Sequence, residues 1–230
     1  CSSDLRLRLV ERAPSVLRIG PGCKDREIRE VNLKDKVERE LDRMRIFDER
    51  ERSVKGKELE KNFLREADIW CSTLMNTAQP KYSAVRPQFL ALIVDEACQS
   101  LEIDCYIPLA SFCNSIIIPL LILVGDTKQL APFEDIKEGR RLVERGLMGR
   151  LVDNMQHTSN NCVRLQEQYR MHYAIARFPT EEFYSGYLRN SARIHDARIF
   201  QRPYHFDNSG RFGPVTFVDT RSIRRNEIGR

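Results

Sequence analysis

The stretch Leu90-Ala91-Leu92-Ile93-Val94-Asp95-Glu96-Ala97-Cys98-Gln99 is an apolar run that stops at two adjacent carboxylates, with a glutamine three residues beyond them. A short continuous apolar run bounded by polar residues suits a buried strand, here one that delivers acids to a site at its tip. A second run, Leu120-Leu121-Ile122-Leu123-Val124, ends in the same way, in Gly125-Asp126-Thr127-Lys128-Gln129-Leu130-Ala131-Pro132. Two strands therefore present polar residues at one edge of a sheet, and the rest of the chain is placed around that edge.

With 230 residues and 41% hydrophobic content the chain can bury a sizeable core, as one large domain or two small ones. The longest apolar stretch, Ile116 to Val124, contains Pro119 and falls far short of the roughly 20 residues a membrane-spanning helix needs, which excludes a membrane partner. The first residues show no targeting signal. Seven cysteines, at 1, 23, 71, 98, 105, 113 and 162, include no Cys-x-x-Cys pair, and read as reduced thiols of an intracellular protein without a structural zinc. Nucleus and cytoplasm are not distinguished. The net charge of +5 is concentrated: residues 189–230 hold nine arginines against four acids, so the remainder sums to zero. That end attracts polyanions or is a solvated arginine-rich surface.

Upstream of the opening stretch, Asp4 to Arg12 is a strand or a turn of helix before Pro14, and Val16-Leu17-Arg18-Ile19 is a short strand stopped by Gly20-Pro21-Gly22. That turn is not a phosphate-binding loop, which needs Gly-x4-Gly-Lys-Ser/Thr; no Gly-Lys-Ser/Thr occurs in the sequence. Between Lys24 and Asp68, 28 of 45 residues are charged, 14 of each sign. Val37, Leu41 and Met44, and then Leu59 and Phe63 after Gly56, have helical spacing, which predicts a charged helical hairpin projecting from the core; the alternative is a partly disordered linker. Ala67 to Leu74 reads as a strand, Leu101 to Phe112 as a helix containing Pro108, and Pro119 sits just before the second strand. Glu134 to Met155 is a helical region broken by glycines, Val163-Arg164-Leu165 a short strand, Tyr173 to Phe183 a helix, and Pro214 to Asp219 a strand.

Paired acids at a strand tip suit nucleotide hydrolysis: one holds magnesium through bound water, and the other activates the attacking water. Adjacent acids also occur at ordinary surface strand ends. Asp126 at a second tip, with the neutral amide of Gln129 beyond it, favours the catalytic reading, because such an amide can sense a terminal phosphate. Arg170 in Gln168-Tyr169-Arg170 can bridge phosphate oxygens, and the Tyr169 ring can stack on a base; otherwise Arg170 closes an ion pair with Glu167 or Glu181.

Taken in order, Asp95-Glu96-Ala97-x-Gln99, Gly125-Asp126-x-Lys128-Gln129-Leu130-x-Pro132 and Gln168-Tyr169-Arg170-Met171-His172 resemble the superfamily 1B helicases, and within them the senataxin and nonsense-mediated-decay group. Phe178-Pro179-Thr180-x-x-Phe183-Tyr184-x-Gly186-x-Leu188-x-Asn190 is similar to the same group. The resemblance implies that Asp95 holds magnesium, Glu96 is the catalytic base, Gln129 contacts the terminal phosphate and Arg170 reaches it from a second motor domain, with Tyr169 beside the base and Asp126 in the ATP site. Ser72 and Thr73 match the hydroxyl-bearing stretch that faces the nucleic-acid backbone, and residues 24–68 match a stalk-like insertion. The family's phosphate-binding loop is expected before residue 1 and its last motifs after residue 230.

The expected architecture is thus an α/β, RecA-like parallel sheet of the P-loop NTPase type over residues 1–160, with the helical insertion, and the start of a second RecA-like domain over residues 161–230. The expected parent activity is ATP hydrolysis with magnesium, coupled to translocation on and unwinding of RNA or DNA, with RNA favoured, and with the isolated chain inactive. The alternative is a non-catalytic nucleic-acid-binding or interaction fragment of helicase descent.

Overall fold

The computed structural model describes residues 14–22, 24–85, 87–112, 120–133, 146–155, 161–195 and 214–217. The chain divides into two compact units, Cys1–His157 and Thr158–Arg230.

In the first unit, strand β1 (Val16–Ile19) turns Leu17 and Ile19 into the core, as alternation along a strand requires. Asp25 then accepts hydrogen bonds from the Glu27 and Ile28 amides and starts helix α1 (Arg26–Val31). Asn32 caps helix α2 (Leu33–Arg43) through the Lys34 and Asp35 amides. Asp48 caps helix α3 (Glu49–Glu66) through Glu51. The charged segment is helical in three pieces, and its reversal lies at Met44–Phe47, where Arg45 takes φ 56°. Gly56, after which the second helical spacing is counted, lies inside α3, which begins seven residues before it. A Cβ there would stand 3.6 Å from Leu41 Cδ1 and 3.7 Å from Val37 Cγ1, so α2 packs closely against that turn and holds it helical. Arg52 fastens the two helices, donating from Nη1 to the Ile46 carbonyl at 2.8 Å and Asp42 at 3.0 Å, and from Nη2 to Glu38 at 2.6 Å.

Strand β2 (Ile69–Ser72) returns parallel to β1, with Val16 opposite Ile69 and Ile19 opposite Ser72. Leu17, Ile19, Leu33, Leu64 and Tyr82 form the core beneath this pair. Trp70 donates to the Leu64 carbonyl at 3.1 Å and meets Phe89 and Phe112 edge-on, at 5.0 and 5.9 Å between ring centres. After the short helix α4 (Pro80–Ser83) comes strand β3 (Ala91–Val94), and after helix α5 (Glu102–Phe112) comes strand β4 (Leu120–Leu123). They pair parallel, Ala91 opposite Leu120 and Val94 opposite Leu123. One face of the pair packs Leu92, Val94, Leu121 and Leu123 against Cys105 of α5 and Leu147 of helix α6 (Gly146–Met155). Among the described residues the other face stays open, with Ile93 63% and Leu120 65% exposed. Gly146 starts α6 at φ 53°, where a Cβ would come within 2.9 Å of the Ser100 carbonyl; only glycine meets both conditions without strain.

The second unit holds strand β5 (Glu167–Gln168), helix α7 (Tyr173–Tyr184) and strand β6 (Arg189–Asn190), with β5 and β6 parallel. The strand expected at Val163–Leu165 forms instead at Glu167–Gln168. Val163 and Leu165 are exposed, whereas the Arg189 amide donates to Gln166 and the Ser191 amide to Gln168, which fixes the pairing on polar residues. His172 caps α7, its Nδ1 accepting from the Ala174 amide at 3.2 Å. Residues 214–217 do not form the expected strand, and 218–219 lie outside the described residues, as do Asp4–Arg12, Pro119, residues 134–145 of the expected helical region and most of the arginine-rich end. No helix among the described residues is long and apolar enough to cross a membrane.

Candidate active site

The parallel register of β3 and β4 brings their tips side by side. The Val124 amide donates to the Val94 carbonyl at 2.9 Å and the Ala97 amide to the Val124 carbonyl at 2.8 Å, so the Asp95–Cys98 turn folds back over the end of β4. Gly125 makes room for that fold-back. A Cβ on it would lie 3.2 Å from the Ala97 amide nitrogen and 3.1 Å from that of Cys98 and from Met148 Sδ.

Within this turn Glu96 has φ 52°, a left-handed conformation that costs a non-glycine residue about 1 kcal/mol. Two contacts hold it: its amide donates to Asp95 Oδ1 at 3.0 Å, and Gln99 Nε2 donates to Glu96 Oε2 at 3.0 Å. Both acids are exposed, so a solute can reach them. On the neighbouring tip Asp126 Oδ1 accepts from the Lys128 amide at 2.9 Å, and its Oδ2 from Gln129 Nε2 at 3.0 Å. The bonds described for Asp126 thus organise its own loop and aim Gln129, whose amide nitrogen has a second hydrogen for another acceptor. Cys98, Asp126 to Ala131, Gly149 and Asp153 line a polar cavity of about 240 Å³ beside these tips. Burial, and then the charges of Asp126 and Glu96, push the Cys98 thiol up.

Among the described residues no cluster of three or more His, Cys, Asp or Glu could by itself hold a metal ion. Magnesium carried on phosphates needs only one or two carboxylates and keeps several waters, a donor set that the exposed Asp95 with its neighbour Glu96 fits.

Ser72 and Thr73 end the other strand pair. Asn76, which the sequence does not single out, donates to Ser72 Oγ at 3.0 Å and to the Ile19 carbonyl at 3.1 Å, tying the ends of β1 and β2. Tyr169 and Arg170 follow β5 in the second unit, and both are exposed. Tyr169 donates to Glu167 Oε2 at 2.6 Å, and that carboxylate holds the phenol above its ordinary range. Among the described residues Arg170 pairs with neither Glu167 nor Glu181. Its backbone amide donates to Gln168 Oε1 at 3.0 Å. The sequence places Gln99 and Gln168 inside motifs but gives neither a role, because the partners of a neutral amide depend on how the turn folds.

Two family models, each described as an AAA domain, match residues 22–134 and 143–230. "Helicase sen1" of Schizosaccharomyces pombe is 32% identical over 200 residues, 86% of this chain and 11% of that protein. "Regulator of nonsense transcripts 1 homolog" of Neurospora crassa is 31% identical over 155 residues, 67% of this chain and 13% of that protein. The chain belongs to the superfamily 1B helicases, in the group of the nonsense-mediated-decay and senataxin enzymes. "Helicase SEN1" of Saccharomyces cerevisiae extends the match to 98% of this helicase chain at 28% identity, over 9% of its own length. The chain thus spans about a tenth of these relatives. Helicase descent accounts for the α/β architecture, with short parallel strands joined through helices.

Proposed function

We propose that the β3–β4 edge is the magnesium and water-activating half of a helicase ATP site. The observation that carries this is the shared edge itself: register places Asp95-Glu96 and Asp126 with Gln129 at adjacent strand tips, with Glu96 held in a costly left-handed conformation. Strain of that kind at an exposed acid supports a functional reading of the acid's position. Asp95 holds magnesium, which when bound neutralises phosphate charge. Glu96, oriented by Gln99, takes the proton of the attacking water. Gln129, aimed by Asp126, donates to the terminal phosphate, Arg170 is a further contact to a terminal phosphate, and Tyr169 stacks on the base. ATP is the nucleotide, and its hydrolysis drives movement on nucleic acid, RNA in preference to DNA, along a path that includes Ser72 and Thr73. Residues 1–160 belong to the first RecA-like motor domain, with 24–68 as a stalk-like insertion, and 161–230 to the second.

In the protein that carries this chain, Glu96→Gln is expected to lower ATP turnover by about 10²–10⁴-fold while nucleotide binding persists. Turnover within a factor of two of the parent would remove Glu96 as the base. The 230-residue chain alone, with no Gly-x4-Gly-Lys-Ser/Thr in its sequence, is expected to turn over little ATP.

The second reading, a nucleic-acid-binding module without turnover, is favoured by the nine arginines of residues 189–230. It predicts single-stranded RNA binding that weakens linearly in log–log salt titration. Binding without a salt slope contradicts it.

A further inference from the structure

Tyr169 and Arg170 are exposed, so burial does not fix where they point. The turn that carries them is fixed by the residue before it. Gln168 ends β5 with its side chain buried, 9% exposed, and both ends of its amide are engaged. Its Oε1 accepts from the Arg170 amide at 3.0 Å and the Met171 amide at 2.8 Å. Its Nε2 donates to the Met171 carbonyl at 2.9 Å and to Asn190 Oδ1 at 2.6 Å. A primary amide has two N–H donors and one oxygen with two lone pairs, and here each has a partner. The partners also settle the orientation of the amide, since backbone N–H groups can only donate and the Met171 carbonyl can only accept. Asn190 stands directly opposite Gln168 in the β5–β6 register, so the amide ties the Tyr169–Met171 turn to the neighbouring strand.

We infer that Gln168, braced by Asn190, is the positioning residue for Arg170: its amide locks the turn that aims the guanidinium at the terminal phosphate. This rests on the reading of Arg170 as a contact to that phosphate. Glutamate cannot substitute, because a carboxylate keeps both amide acceptances yet places an oxygen against the Met171 carbonyl and Asn190 Oδ1. Displacing a phosphate contact by about 1 Å can cost up to about 10²-fold, so the effect is measurable.

The test measures, in the protein that carries this chain, the preference for a non-hydrolysable ATP analogue over ADP, which reports the terminal-phosphate contact alone. Gln168→Leu is expected to lose about tenfold or more of that preference, beyond any loss of ADP affinity through Tyr169 on the same turn, which the ratio cancels. Combined with Arg170→Ala it should add no further loss, because both substitutions remove one contact. If Gln168→Leu keeps the preference while Arg170→Ala loses it, the inference is overturned and the reading of Arg170 stands. Additive losses in the double variant also overturn it, since Gln168 would then act by another route. If Arg170→Ala itself keeps the preference, the phosphate reading of Arg170 fails and the inference falls with it. Should Gln168→Leu not fold, Gln168→Glu replaces it, because its carboxylate still accepts from both turn amides; an unchanged preference there overturns the inference.

Discussion

The α2–α3 hairpin and the β3–β4 edge are both exposed and rich in charge, yet they are held by opposite means. The hairpin obeys local rules along its helices, apart from Gly56 in α3, and departs from them in its reversal only at Arg45, φ 56°. Asn32 and Asp48 cap its helices, its charges meet across turns, and Leu41, Leu59 and Leu64 supply the buried positions. The edge breaks local rules: a glutamate takes a glycine's conformation, two carboxylates stand adjacent, and Gly125 lets two backbones approach where a Cβ would be crowded. Departures from local preference in an otherwise consistent fold mark the place where position matters more than stability. The hairpin can therefore be improved without loss of activity, and the edge cannot.

The largest effect expected from this contrast is at Glu96. Glu96→Gly relieves the left-handed strain, so the melting temperature should stay level or rise, by up to about 1 kcal/mol of stability, while ATP turnover falls by at least about 10²-fold. Thermal unfolding and steady-state hydrolysis on the same preparation test both halves. A variant that is less stable than the parent would show that Glu96 supports the turn rather than straining it.

At Gly56 the signs reverse. A Cβ there meets Leu41 and Val37 at ordinary contact distances, and glycine inside a helix costs about 0.5–1 kcal/mol relative to alanine. Gly56→Ala should raise stability by that amount and leave ATP turnover unchanged, as denaturant unfolding and the same hydrolysis assay would show. Destabilisation would mean that α2 and α3 pack more tightly at this crossing than 3.6 Å implies.

The two regions were also unequally legible in the sequence. The edge could be read almost whole, because apolar runs of strand length ending in acids specify both the strands and their polar tips, and β3 and β4 fall within one residue of Leu90 to Val94 and Leu120 to Val124. The hairpin's helices followed from spacing, but the second begins well before Gly56, because the tolerance of a glycine there comes from a neighbouring helix that spacing does not reveal. The strand at Glu167–Gln168 was misplaced onto Val163–Leu165 for a related reason. Pairing with Arg189–Asn190 selects the strand, and apolar character does not. The family motifs located Gln99 and Gln168, but only folded turns show which groups their amides hold.

The smallest expected effect tests how the layer behind the edge is joined, where an ion pair links α5 and α6 beside their apolar contact. Arg150 donates to Glu102 through Nη2 at 2.6 Å and Nε at 3.0 Å, and the Tyr106 hydroxyl donates to the same carboxylate at 2.7 Å. The guanidinium first, and the phenol second, hold the Glu102 carboxyl below its ordinary value of 4.5. A carboxyl with a lowered folded-state pKa contributes stability above its unfolded value, and that contribution disappears as pH falls through the folded one. The difference in melting temperature between the parent and Glu102→Gln should therefore be level from neutral pH down to about pH 5, then shrink as acid protonates the folded carboxylate. Because both partners are partly exposed, the difference should be small and should fall further in about 1 M salt. A difference that survives both acid and salt would assign the joint to packing of the Glu102 stem and Tyr106 ring instead of charge, and α5 would then be held as the hairpin's apolar positions are.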